Sequence, residues 1–213
     1  MPNHVEGLIQ IYGSEADLKE LMEFVKEGES LLSANKIIPY PEKFKKMDEE
    51  HYEKYGTWGS QTPEQKARFE QDTKDGTYLK DGYNSGGYEW CCDNWGTKWG
   101  FYNISVSEMF QCPYNEDGEF LVEYNVNTAW SPAIPVIEAL SLKFPNVVIK
   151  YWFEDEGWCY PAGCITVKHG IIITEQTWND IDAWKQMEIF EDYDQWKARE
   201  EEYERESASY NIE

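Results

Sequence analysis

Positive charge is scarce in this 213-residue chain: 19 Lys and Arg stand against 41 Asp and Glu, a formal net charge of −22. A surface of that sign repels phosphate backbones, so direct binding of DNA or RNA and adsorption to anionic membranes are disfavoured. Long apolar runs are missing too, and none approaches the roughly 20 residues that span a bilayer. Histidine occurs only as His4, His51 and His169. No His-Glu-x-x-His, Gly-x-Ser-x-Gly or phosphate-cradling glycine loop is present. Internal repeats and low-complexity tracts are absent. The five cysteines are Cys91, Cys92, Cys112, Cys159 and Cys164. Their odd number, and a start without a leader pattern, lead to the expectation of a reducing cytoplasm. Cys91 and Cys92 are adjacent and Cys159 and Cys164 are five apart, whereas a structural zinc site wants two short matched pairs. Only Lys98 supplies positive charge beside Cys91 and Cys92, a poor setting for an activated thiolate. Carboxylate pairs such as Glu154 with Glu156 read as a solvated acidic turn. No catalytic residue, metal site or cofactor is therefore predicted.

Aromatic residues are abundant at 16%, with 10 Trp and 15 Tyr, and they bury much area per residue. Val5 to Tyr12 alternates, with Val5, Gly7, Ile9 and Ile11 on one face of a strand. Ser14 opens a helix with Asp17 as an approximate capping box, and Leu18, Leu21, Met22 and Val25 form its buried stripe. Pro39 and Pro41 stiffen an extended segment. From Glu42 to Ser85 the chain is polar, with a short helix expected at Pro63 to Asp72 and Ala67 and Phe69 inward. This region reads as a surface insertion rather than a second core. Phe101 to Glu108 and Glu119 to Asn127 read as a hairpin, with Tyr102, Ile104 and Val106 sharing one face of its first strand. A helix starts near Pro135 with Val136, Ile137, Leu140 and Phe144 inward, followed by a strand at Val147 to Phe153. A last hairpin turns at His169-Gly170.

The order strand, helix, insertion, strand, strand, helix, strand is a ferredoxin-like split βαβ pattern. The fold class predicted is α+β: such a domain over 1–175 with an antiparallel sheet, a long insertion at about 40–87 after the first helix, and an acidic C-terminal helix over 176–213. From Asp180 to Glu213 there are 12 acidic and 4 basic residues, a net of −8. Ile181, Trp184, Met187, Phe190, Tyr193 and Trp196 recur there every three residues. Each such step falls back about 60° on a helix, so the stripe winds around it and leaves aromatics exposed. Trp184, Asp192, Tyr193, Trp196, Glu200 and Glu201 are accordingly candidate partner-binding residues.

Three motifs sharpen the fold assignment: Met1-Pro2-Asn3, Trp90-Cys91-Cys92-Asp93-Asn94-Trp95-Gly96-Thr97-Lys98-Trp99, and Thr128 to Ile137 with Trp130 inside it. Over roughly Met1 to Ile173 the chain resembles the YubB-like family of ferredoxin-like-domain proteins carried by phages and plasmids. That family usually has Trp-Cys after its initial Met-Pro-Asn, whereas His4-Val5 stands here. The resemblance implies a fold and a mobile-element origin but no reaction, and "ferredoxin-like" implies no iron–sulfur cluster.

The Trp-rich stretch has two readings. In one, Trp90, Trp95 and Trp99 bury against the sheet and close the core. In the other it is a stacking platform for a nucleotide, with Trp90, Asn94, Trp95, Thr97, Lys98, Trp99 and Trp130 as contacts. The leading functional expectation is a non-enzymatic interaction protein in the host cytoplasm. Its acidic surface and tail would bind, and block, a host or defence protein with a basic face, in the manner of a nucleic-acid mimic. The alternative is a module that binds or sequesters a nucleotide at the Trp-rich centre.

Overall fold

The structure, a computed structural model, describes residues 3–57, 59–112, 119–156 and 162–178. Strand β1 (His4–Gly13) is central, and its helix-facing side carries Val5, Ile9 and Ile11, all buried. Helix α1 (Glu15–Phe24) begins where the Ser14 hydroxyl oxygen accepts the Asp17 amide at 3.1 Å. Leu18, Leu21 and Val25 are 0% exposed, and full burial of each such side chain is worth about 1.5–3 kcal/mol.

The insertion is helical: α2 (Ala34–Ile37), α3 (Glu42–Tyr55), α4 (Pro63–Asp75), a 3-10 turn at Tyr83–Ser85 and α5 (Gly87–Trp95). Helix α4 has a full capping box between Thr62 and Gln65, with proline in its first turn. The insertion has a core of its own, where a surface excursion was expected. Tyr55, Phe69 and Tyr78 pack ring to ring at 5.3–5.7 Å. Beside them the buried Asp72 takes Lys54 at 2.6 Å, Arg68 at 3.2 Å and the Tyr55 hydroxyl at 2.8 Å. Gln65, Phe69 and Asp72 form the inward stripe of α4. Ala67, expected inward, is exposed, because it lies about 200° around the helix from Phe69.

The chain then supplies β2 (Tyr102–Val106), β3 (Phe110–Gln111), β4 (Phe120–Ala129), α6 (Ile134–Lys143), β5 (Val148–Asp155), β6 (Ala162–Lys168) and β7 (Ile171–Trp178). The sheet order is β2-β4-β1-β5-β6-β7 with β3 also beside β4, and every pairing is antiparallel. β1 and β2 therefore run parallel with β4 between them, which is the split βαβ arrangement. The fold is a ferredoxin-like α+β domain, extended beyond β5 by the β6–β7 hairpin. α1 and α6 pack on one sheet face, where Ile9, Ile11, Val122, Tyr124, Ile149 and Tyr151 meet Leu18, Leu21, Ile137 and Leu140. A Cβ on Gly7 would lie 2.7 Å from the Tyr151 ring, so glycine there makes room for that ring.

Two local expectations change. Tyr102 does not share a face with Ile104 and Val106. Asn103 has a φ of 50° and the ladder slips between Tyr102 and Ser105, and such a bulge reverses the alternation of side chains. The tail does not start at residue 176, since β7 runs to Trp178. The acidic helix expected beyond it, with Trp184, Asp192, Tyr193, Trp196, Glu200 and Glu201, lies outside the described residues, as does Cys159.

Candidate functional site

The stretch from Gly86 to Phe101 divides into an inner and an outer half. The inner half is α5. Its N-terminus sits on Tyr40 so closely that a Cβ on Gly87 would fall 1.9 Å from the Tyr40 hydroxyl oxygen. Trp90 and Trp95 meet edge to face at 5.4 Å, and Tyr40 touches both, at 5.6 and 5.9 Å. The Trp95 indole N–H donates to the Ile38 carbonyl at 2.9 Å, which satisfies the polar end of a buried ring. Asn94 returns its amide to the Trp90 carbonyl of its own helix. Cys91 is buried in the same cluster, and burial first, then Cys92 and Asp48, push its thiol up to about 12. Burial likewise pushes Cys164 up to about 11. Both thiols stay protonated at neutral pH and are poor nucleophiles.

Past Gly96 the chain meets the end of β4. A Cβ on Gly96, whose φ is 75°, would lie 2.7 Å from the Pro135 ring. Ser131 donates to the Gly96 carbonyl. Thr97, 1% exposed, donates its hydroxyl to the Ala129 carbonyl at 2.8 Å and accepts the Ala129 amide at 3.0 Å. The Trp130 amide bonds Asn3 on the β1 side, so the Ala129 groups point away from β1, where β2 has not yet begun. One threonine stands in for a missing strand.

The outer half is the surface patch. Trp130 is 49% exposed and Trp99 is 36% exposed. The Lys98 ammonium lies 3.5 Å from the Trp130 ring centroid, 5.6 Å from Tyr88 and 5.7 Å from Trp99, within range of cation–π attraction. Trp130 has a φ of 74°, and a bulky residue held in the left-handed region costs of order 1–3 kcal/mol. Trp99 packs against Tyr102, whose hydroxyl meets His4 Nδ1 and the Thr128 carbonyl. Carboxylates flank the patch. Glu89 lies by Tyr88, whose hydroxyl is raised mainly by its hydrogen bond to Cys92. Glu156 lies by Tyr102, which burial and then Glu156 raise, and its backbone N–H is bonded to the His4 carbonyl.

Of the residues expected to form a ligand platform, the structure brings Lys98, Trp99 and Trp130 together at the surface. It places Trp90, Asn94, Trp95 and Thr97 in packing and backbone support. The sequence reading missed Tyr88, Tyr102, His4 and Glu156 as members of the patch. That a lysine past the end of α5 gathers a ring from α5 and another from the end of β4 leaves no local signal, and the bulge at Asn103 that turns Tyr102 outward has none either.

The architecture defines a class: a ferredoxin-like domain carrying a helical insertion and an exposed aromatic patch. Residues 101–206, just under half of the chain, match the family model described as the ferredoxin-like domain in Api92-like protein. The chain is also similar to a solved structure of the protein Api92 from Yersinia pseudotuberculosis, with 9% identity and a TM-score of 0.47 over 84% of this chain and 99% of that one. No curated protein matches this chain. The YubB-like resemblance and its mobile-element origin are not supplied by these matches. Among the described residues, no helix is long and apolar enough to cross a membrane.

Proposed function

We propose that this protein acts by binding another protein rather than by catalysis, with the Trp99–Trp130 patch as the anchor of an acidic interface. The observation that carries this is the patch itself: two exposed indoles, one on strained backbone, braced by Lys98 and flanked by Glu89 and Glu156. Half-exposed Trp is a costly surface residue and a typical energetic centre of interfaces. The partner has a basic face. Its arginines and lysines meet the surrounding carboxylates, and its apolar side chains cover the indoles. Much of the acidic surface is free to serve this role. Ion pairs among the described residues hold Glu15, Glu23 and Asp72, while Glu20, Glu49, Glu50, Glu53, Glu89 and Asp93 are exposed. The sequence resemblance to proteins carried by phages and plasmids supports a host or defence protein as the target, met in the host cytoplasm and blocked by occupation of its nucleic-acid-binding cleft. The acidic, aromatic composition of the tail, with Trp184, Tyr193 and Trp196, supports a second partner-binding element in the same chain.

The test is quantitative capture from host lysate with the full chain and with a Trp99→Ala/Trp130→Ala variant. The proposal expects a protein bound at low salt, released at high salt and lost with the double variant. Equal capture by both chains refutes the patch as anchor. The contact of Lys98 with Trp130 favours a second reading, a nucleotide stacked on the patch. Thermal shift with mono- and cyclic nucleotides tests it, and an unchanged melting temperature rules it out.

A further inference from the structure

The insertion holds a cavity of about 360 Å³ that neither the sequence nor the interface reading uses. Its walls are His51, Tyr52, Phe69 and Tyr78, and its polar groups include Asp81 and Asn84. The rings stand nearly perpendicular to one another: His51 to Tyr52 at 85°, His51 to Tyr78 at 89°, Phe69 to Tyr78 at 79°, with centroids 5.3–5.7 Å apart. All four rings line the one cavity, an aromatic box. His51 is fixed in it by a bond from Nδ1–H to the Leu79 carbonyl at 2.8 Å.

Asp81 supplies the charge. It is only 8% exposed, and its two oxygens accept the Asn84 amide at 2.6 Å and the Asn84 side-chain amide at 2.9 Å. Both donors are neutral, and among the described residues no ion pair reaches Asp81. The contrast is within the same small body. Asp72, equally buried, is held by Lys54 and Arg68. A buried carboxylate is costly without a cation. The field of Asp81 reaches the box, since it is among the charges that hold the Tyr52 and Tyr78 hydroxyls above their ordinary range, after burial as the first cause. Asp48 adds to it at Tyr52.

We propose that this cavity binds an organic cation of the alkylammonium class, with Asp81 as counter-ion and Tyr52, Phe69 and Tyr78 as the aromatic walls. Ring faces and a carboxylate together select a positive charge over a neutral group of the same shape. The volume lies in the lower range of small-ligand sites, which suits a methylated ammonium head. The same head occurs on a free amine and on a methylated lysine side chain. The cavity shares no lining residue with the Trp99–Trp130 patch, and its success or failure leaves that proposal untouched.

The test is calorimetric titration of the full chain with choline, with its neutral isostere 3,3-dimethylbutan-1-ol, and with a short peptide carrying trimethyllysine. Choline is expected to bind at least tenfold more tightly than the isostere. Asp81→Asn and Tyr52→Ala should each weaken it at least tenfold. Tyr52 is 47% exposed, so its truncation keeps the fold and remains informative if the Asp81 variant does not fold. Glu23→Gln on α1 controls for general charge and should leave binding unchanged. Peptide competition with choline assigns the cation to a protein side chain, and its absence assigns it to a free amine. Equal binding of choline and isostere, no binding of either, or unaltered binding by Tyr52→Ala overturns the proposal.

Discussion

Thr97 is the residue whose replacement says most about how the patch is held. Its hydroxyl makes two bonds to Ala129, and no strand is there to replace it. Thr97→Val keeps the shape of the side chain and removes both bonds. Each buried backbone group left unmet costs about 1–3 kcal/mol. The Lys98 amide, 3.5 Å from the same carbonyl, relieves part of that, so about 2–4 kcal/mol is expected in all. With a urea slope of about 2 kcal/mol/M, the unfolding midpoint should fall by about 1–2 M without a change of slope. Thr97→Ser keeps the hydroxyl and should cost about 1 kcal/mol or less, the value of one methyl. The loop that carries Lys98 and Trp99 is tied down here, so partner capture should weaken with Val and persist with Ser. A Val variant within about 0.5 kcal/mol of the parent, or a Ser variant as unstable as Val, would refute the reasoning.

Gly87→Ala should destabilise despite the helix propensity of alanine, because its Cβ meets the Tyr40 hydroxyl. The penalty should shrink by about 1 kcal/mol or more in a Tyr40→Phe background, measured as a double-mutant cycle. Asp72 is held down to about 2 from 3.8, first by its bond to Lys54, then by Tyr55 and Arg68. Because its folded pKa is depressed, its contribution is full above pH 3.8 and lost as pH falls towards 2. Near-ultraviolet circular dichroism should show the insertion loosening across that range, and Asp72→Asn should lack that step. Cys91 and Cys164, pushed up to about 12 and about 11, should resist iodoacetamide at about pH 8 in the folded protein and react fully in denaturant, since only about 10⁻⁴ and about 10⁻³ of them are ionised there. Rapid native alkylation of Cys91, read by mass spectrometry, would contradict its placement.

Periodicity carried most of the fold. The alternation from Val5 to Ile11 and the stripe Leu18, Leu21, Val25 are dense in aliphatics, so β1 and α1 stand where expected. Pro135 marks the start of α6 for the same local reason. Helix α3 was not visible, because its buried residues Phe44, His51 and Tyr55 are sparse among nine charged ones and two of the three are polar-tipped. The second core of the insertion depends on Asp72 and on aromatic contacts between segments far apart in sequence. The patch was half legible. Lys98, Trp99 and Trp130 stood out by type, but which tryptophans turn outward is decided by where α5 ends. It ends at Trp95, so Trp99 lies beyond the helix that carries the packed pair Trp90 and Trp95.

Site-specific photo-cross-linking in cells that produce the full chain tests the central claim most directly. A benzoylphenylalanine at position 99 is expected to trap a protein with a basic surface, and the adduct should vanish with Trp130→Ala. The same probe at Ile171, an exposed residue on the far hairpin, should trap none. Adducts from position 171 and none from position 99 would contradict the account.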